Sequence, residues 1–152
     1  MVVPSVYVVF RSDADVLLQL RQNTGYRDGH WACAAAGHIE LGESVVDAAR
    51  REATEELGIE VEASNLRPLC TMHRTQTPHG ATDERVDFFF ECRTWRGEPS
   101  IAEPAKTAAL EWFPLSELPT PVVPHERRVF DDIARDRLAT IIHEGFDPVL
   151  PR

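Results

Sequence analysis

Glu52, Glu55 and Glu56 stand at i, i+3 and i+4, so a helical backbone would project their carboxylates from one side, within a few ångströms of each other. Like charges so placed cost about a few tenths of a kcal/mol per pair on an open helix, and more once water is excluded. Gly58 would stop that helix, which puts all three acids in its last two turns, where the negative end of the helix dipole disfavours anions. A sequence shaped by stability alone would carry Lys or Arg there. A hard divalent cation, Mg²⁺ or Mn²⁺, makes the arrangement favourable, because such ions select carboxylate oxygen. Glu43 can join from the preceding loop, and Arg51 can hold a carboxylate through a planar two-pronged bond. Residues 37–59 contain six acids and two bases, a local charge of −4, and the competing reading is a solvated acidic helix face.

The elements that must carry these residues follow from pattern. Ser44 can cap a helix over Val45–Leu57, with Asp47 three residues on in a capping-box arrangement, and Val45, Val46, Ala49, Ala53 and Leu57 form its apolar stripe. Val6–Phe10 and Val16–Leu20, separated by a polar turn, read as a hairpin. A loop over 23–29 leads to a short strand at Trp31–Ala35, and further strands are expected at Arg67–Arg74, Val86–Cys92 and Ala108–Phe113. A last helix is predicted from about Glu126 to His143, with Val129, Ile133, Leu138, Ile141 and Ile142 as its apolar face. Strands with helices inserted between them predict one α/β domain over residues 1–152, a mixed β-sheet between helices.

Composition narrows the function. The chain has 152 residues, 43% apolar and 27% charged, with 25 acidic against 16 basic residues and a net charge of −9. That balance argues against a nucleic-acid polymer or an anionic membrane as partner, since both draw on a basic surface. Cys33, Cys70 and Cys92 are too few and too widely spaced for a disulfide framework or a CxxC motif. The first ten residues lack a basic n-region and contain Pro4, and no apolar run is long enough to span a bilayer, so a cytoplasmic location is expected. All basic residues but Lys106 are Arg, which suggests a GC-rich bacterial source.

The run Gly37, five residues, Glu43, seven residues, Arg51-Glu52-Ala53, one residue, Glu55-Glu56, one residue, Gly58-Ile59 resembles the signature of the Nudix hydrolases at every fixed position. The resemblance implies the Nudix α/β/α sandwich and hydrolysis of a nucleoside diphosphate linked to another moiety. By it, Glu52, Glu55 and Glu56 are the metal-binding acids, the Gly37 carbonyl is a further ligand, and Glu43 completes the site or bonds Arg51. Family members differ over the general base, and here Glu52, Glu55 and Glu103 are candidates. Outside the signature, segments such as Met72-His73-Arg74, Asp87-Phe88-Phe89-Phe90 and Glu103-Pro104-Ala105-Lys106 are similar to MutT-like bacterial members.

Two departures stand out: Ala35-Ala36 replaces the usual Pro-Gly or Pro-Ala before the signature, and Ile101 replaces an Asn often found before Glu-Pro. The proline or tyrosine that marks the ADP-ribose and dinucleoside polyphosphate subgroups is absent from Arg74 to Thr77. That favours a nucleoside triphosphate, oxidised forms included, cleaved to monophosphate and pyrophosphate, with ADP-ribose and nucleotide sugars as alternatives. Trp112, Phe90 or Tyr26 can stack on a base, and Arg74 or Arg27 can hold phosphate. His38 and Lys106 are placed either for the site or for structure. The competing class is a nucleotide sensor that keeps the fold without catalysis, and a homodimer is an expectation from the family.

Overall fold

The computed structural model describes residues 1–76 and 84–146. In chain order the elements are β1 (Val3–Ser12), β2 (Asp15–Arg21), β3 (Trp31–Cys33), β4 (Ala35–His38), α1 (Val45–Leu57), β5 (Leu66–Arg74), β6 (Arg85–Cys92), β7 (Thr107–Pro114), α2 (Pro124–Ala134) and β8 (Ile141–Glu144). Along β1, Val6, Val8 and Phe10 are buried on one face and Val9 on the other, the pattern of a strand covered on both sides. The strand is accordingly central, parallel to β6 from Val3 opposite Arg85 to Phe10 opposite Cys92. Beyond β6 lie antiparallel β5 and then parallel β8. Pro68, which has no N–H to give, sits at a register shift in β5 before Cys70.

One helix covers each face of this mixed eight-stranded sheet, giving the α/β/α arrangement. Ala48, Ala49, Ala53 and Leu57 of α1 pack with Val6, Val8 and Phe10, while Val129 and Phe130 of α2 pack with Val9, Met72 and Phe89. The hairpin of β1 and β2 pairs only at its closed end, Arg11 with Val16 and Ser12 with Asp15. Farther along, β1 takes β4 as its neighbour and β2 runs between β3 and β7, so the two strands part. Their separation opens a cleft lined from both sides, and the carboxylates of α1 lie beside it.

Two expectations change. The strand expected at Trp31–Ala35 is two strands, β3 on β2 and β4 on β1, because the chain crosses the cleft at Ala34. The last helix stops at Ala134 instead of running to His143. Asp136 adopts a left-handed φ of 52°, and the β-branched pair Ile141 and Ile142 then extends as an edge strand beside Thr71 and Met72. The apolar spacing of Leu138, Ile141 and Ile142 mimicked a helical face, though only Ile142 is buried.

Candidate active site

The helix that carries the acids is set at both ends. The Ser44 hydroxyl accepts the Asp47 N–H at 3.0 Å, and Gly58 closes the helix at φ 68°, a left-handed conformation that costs a glycine little. Its inward face is built from Ala48, Ala49, Ala53 and Leu57, and Glu52 is buried among them. Three alanines let α1 approach β4 closely. The approach is tightest at Gly37, where a Cβ would fall on the Glu52 carboxylate.

Glu56 is turned the same way. Its Oε2 accepts the Ala36 N–H at 2.7 Å and its Oε1 is 3.5 Å from Gln19 Nε2. Gln19 in turn donates to the Cys33 carbonyl at 2.9 Å and accepts the Thr107 hydroxyl at 2.7 Å. Burial pushes the Glu52 carboxyl above the ordinary carboxylate range, against the pull of Arg51. Burial also raises Glu56 well above that range, opposed by the Ala36 N–H and reinforced by the charge of Glu52. Two acids one helical turn apart, both raised by burial, favour a positive charge beside them.

Arg51 supplies counter-charge to Glu43, Glu52 and Glu55. Its Nε and Nη2 donate to the two oxygens of Glu43 at 2.7 and 2.9 Å, and Nη1 donates to Glu52 at 2.8 Å and Glu55 at 3.2 Å. Nη2 also donates to the His38 carbonyl at 3.1 Å, tying the loop to the helix. The forked bond with Arg51, helped by the Glu40 N–H, lowers the Glu43 carboxyl to about 2. Among the described residues no three carboxylate, imidazole or thiol side chains converge as a finished metal centre. The donor set nevertheless suits a hard cation: Glu52 and Glu56 offer oxygen only, one lying against the bare backbone of Gly37 and the other on the Ala36 N–H.

Beside these acids the cleft widens into a cavity of about 490 Å³. Ala36, Gly37 and His38 form the rim toward α1, Tyr7 and Glu126 are part of its wall, and Arg21, Arg74 and Arg85 bring positive charge. Arg74 is itself buried and donates to Asp87, which is fully enclosed. Glu126 accepts the Cys33 N–H at 2.7 Å, and burial lifts its carboxyl to about 7 despite that bond. His125, 3.1 Å from the Tyr7 hydroxyl, is driven by burial and by Arg74 to about 2, so it stays neutral.

The expected residues divide by place. Glu43, Arg51, Glu52, Glu55, Glu56 and Gly37 come together, and Tyr26 and Arg74 line the cavity. Arg27 borders a smaller adjoining cavity of about 130 Å³ with Tyr26, Arg74 and His125. Glu103 lies in the segment tied to the end of α1 by Ala102 N–H donating to the Glu56 carbonyl at 3.2 Å, and its carboxylate is 3.6 Å from Lys106. Trp112 does not line the cavity but stacks on Trp95, 6.1 Å between ring centres, and Phe90 is buried in the core under α1. Of the three expected aromatics, Tyr26 is the one that lines the cavity. Thr77 lies outside the described residues. Gln19, Tyr7, Asp87 and Glu126 were not among the residues the sequence marks for the site; the signal that points to Gln19 is an amide within the apolar run Val16–Leu20, and to Glu126 an acid at the start of an amphipathic helix.

Comparisons with known proteins bear on the family and the fold. The family model of the NUDIX domain matches residues 1–133. The 8-oxo-dGDP phosphatase NUDT18 of Homo sapiens is 30% identical over 127 residues, 80% of this chain and 35% of that protein. The isopentenyl-diphosphate Delta-isomerase of Jannaschia sp. (strain CCS1) is 30% identical over 115 residues, 75% of this chain and 65% of that protein. The chain thus spans about a third of the length of the phosphatase it matches. Among solved structures, a MutT NUDIX hydrolase from Burkholderia pseudomallei superposes with a TM-score of 0.77 at 26% identity, covering 88% of this chain and 98% of the other. A MutT protein from Bacillus halodurans gives 0.73 at 24% identity over 95% and 88% of the two chains, a likeness of fold.

Proposed function

The chain belongs to the NUDIX domain family, and from that membership we propose that residues 1–152 form one metal-dependent hydrolase domain that cleaves the phosphoric anhydride bond of a small nucleotide. The observation that carries the reading is the approach of two acids of α1 to β4 at the rim of the cavity, the Glu52 carboxylate against the bare backbone of Gly37 and Glu56 on the Ala36 N–H. Glu52, Glu56 and the Gly37 carbonyl would hold the ion, Mg²⁺ or Mn²⁺, with Glu43 and Glu55 kept at hand by Arg51. When bound, the ion supplies Lewis-acid neutralisation of the pyrophosphate oxygens, which a protein of net charge −9 would otherwise repel.

The side chains do the rest. Water adds to phosphorus through its oxygen, the bridging P–O bond breaks, and the water proton passes to a carboxylate. Glu55 and Glu103 are the carboxylates outside the buried pair whose charges are felt by Glu52 and Glu56 respectively, and they are the acceptors this reading favours alongside Glu52. Arg21, Arg74 and Arg85 favour phosphate in the cavity, and Tyr26 offers a ring face at its edge. The arginines together with the ring of Tyr26 suit a nucleotide, and the reading follows these side chains rather than the isomerase likeness.

The substrate is a nucleoside triphosphate or diphosphate, with oxidised purines included on the strength of the likeness to an 8-oxo-dGDP phosphatase. A panel of nucleoside triphosphates, oxidised nucleotides, ADP-ribose and nucleotide sugars, assayed for phosphate products with Mg²⁺ or Mn²⁺, tests the reading. Release of monophosphate from one class of nucleotide is expected. Binding of nucleotides with no cleavage under either ion would favour the sensor instead.

A further inference from the structure

Gln19 is the one long polar side chain in the run Val16–Leu20, and it is buried in the middle of β2. A buried amide is costly unless its donors and acceptor are matched, and here they are matched across four segments of chain. The Cys33 carbonyl can only accept, so the Gln19 nitrogen must face it, at 2.9 Å. That fixes the amide plane. The oxygen then faces the Thr107 hydroxyl at 2.7 Å, and the second N–H is left for Glu56 Oε1 at 3.5 Å.

Glu56 differs from the neighbouring acids in what holds it. Arg51 grips Glu43, Glu52 and Glu55 through charge-assisted bonds, whereas the donors to Glu56 are neutral, the Ala36 N–H and Gln19. Neutral donors orient a carboxylate without cancelling its charge, which leaves that charge available to a cation. Thr107 follows directly on the segment that carries Glu103, and its N–H donates to the Glu103 carbonyl at 3.1 Å. The amide therefore links that segment to Glu56.

We infer that Gln19, braced by Thr107, is a positioning residue that fixes the Glu56 carboxylate for the divalent ion. The inference rests on the metal-dependent reading above. Its consequence is specific: losing the amide weakens the ion, not the nucleotide, and the loss is visible with no substrate present. Removal of a partner of a metal ligand lowers metal affinity by roughly 10- to 100-fold in such sites.

The test is Mn²⁺ binding by the full, nucleotide-free chain, read from the electron paramagnetic resonance of unbound Mn²⁺, for wild type, Gln19→Leu, Thr107→Val and Leu18→Ala. Leu18→Ala hollows the adjacent core position, which belongs to the layer under α2, and serves as a destabilised control. Gln19→Leu is expected to weaken Mn²⁺ about tenfold or more and Thr107→Val by several-fold, with Leu18→Ala unchanged and activity of Gln19→Leu partly restored at high Mn²⁺. Equal Mn²⁺ affinity in wild type and both strut variants would overturn the inference, as would an equal loss in Leu18→Ala. If Gln19→Leu does not fold, Thr107→Val alone decides between these outcomes. Absence of Mn²⁺ binding by wild type would instead overturn the metal reading, and this inference with it.

Discussion

The Glu52 carboxylate occupies the space that a Cβ on Gly37 would need. Glycine is required there by proximity, since its φ is not in the left-handed region, and the same contact sets how near α1 can lie to β4.

Gly37→Ala must push either the strand or the acid away. Because Glu52 is buried and bonded to Arg51, neither moves cheaply, and a loss of stability of about 1–3 kcal/mol is expected. Activity is expected to fall more steeply than stability. Chemical denaturation alongside an assay of phosphate release measures both; an alanine variant with wild-type activity would show that the contact is incidental.

Arg74 and Asp87 form a buried pair beneath the cavity, and one Asp87 oxygen has no hydrogen-bond partner among the described residues. Arg74→Met would strand a fully enclosed carboxylate, which costs about 3–5 kcal/mol if it stays charged. Adding Asp87→Asn should return much of the lost stability, a recovery that urea melts of the single and double variants would measure.

His125 and Glu126 are neighbours at the start of α2 and act oppositely on stability as pH changes. The His125 value is lowered from 6.5 to about 2 when folded, so its contribution is present above pH 6.5 and is lost as pH falls below it. The Glu126 value is raised from 4.5 to about 7, so its contribution is full below 4.5 and is lost as pH rises toward 7. Between pH 4.5 and 6.5 the two slopes offset, each being worth up to about 1.4 kcal/mol per pH unit. Glu126→Gln is therefore expected to lose stability on acidification through that window, and His125→Asn to gain it. Urea midpoints at several pH values would read the sign, and parallel profiles for both variants would contradict the assignment.

Much of the site was legible in the sequence because it depends on local spacing. Ser44, Gly58 and the i, i+3, i+4 acids fix a helix and one of its faces without knowledge of the rest of the fold. What the sequence concealed depends on contacts between distant segments. Gln19 meets Glu56 only because β1 and β2 part and the chain crosses between them at Ala34, and no periodicity encodes that. Trp112 and Phe90 looked like base-stacking candidates because an aromatic's type is visible while the face it occupies is not; one stacks on Trp95 and the other fills the core. The false helix over 135–143 has a related cause, since three apolar residues at helical spacing do not exclude a turn followed by an edge strand.

On the function proposed above, the acids of α1 hold a cation through which a phosphoric anhydride is cleaved. The most direct measurement is the rate of phosphate or monophosphate release by wild type, Glu52→Gln and Glu56→Gln, with Mg²⁺ present and again in excess chelator, each protein first shown to be folded by circular dichroism. Each substitution keeps the shape and removes the charge, so turnover should fall roughly a hundredfold or more, and chelator should abolish it in wild type. Full activity in either variant, or in wild type with chelator, would rule out a cation held by these acids.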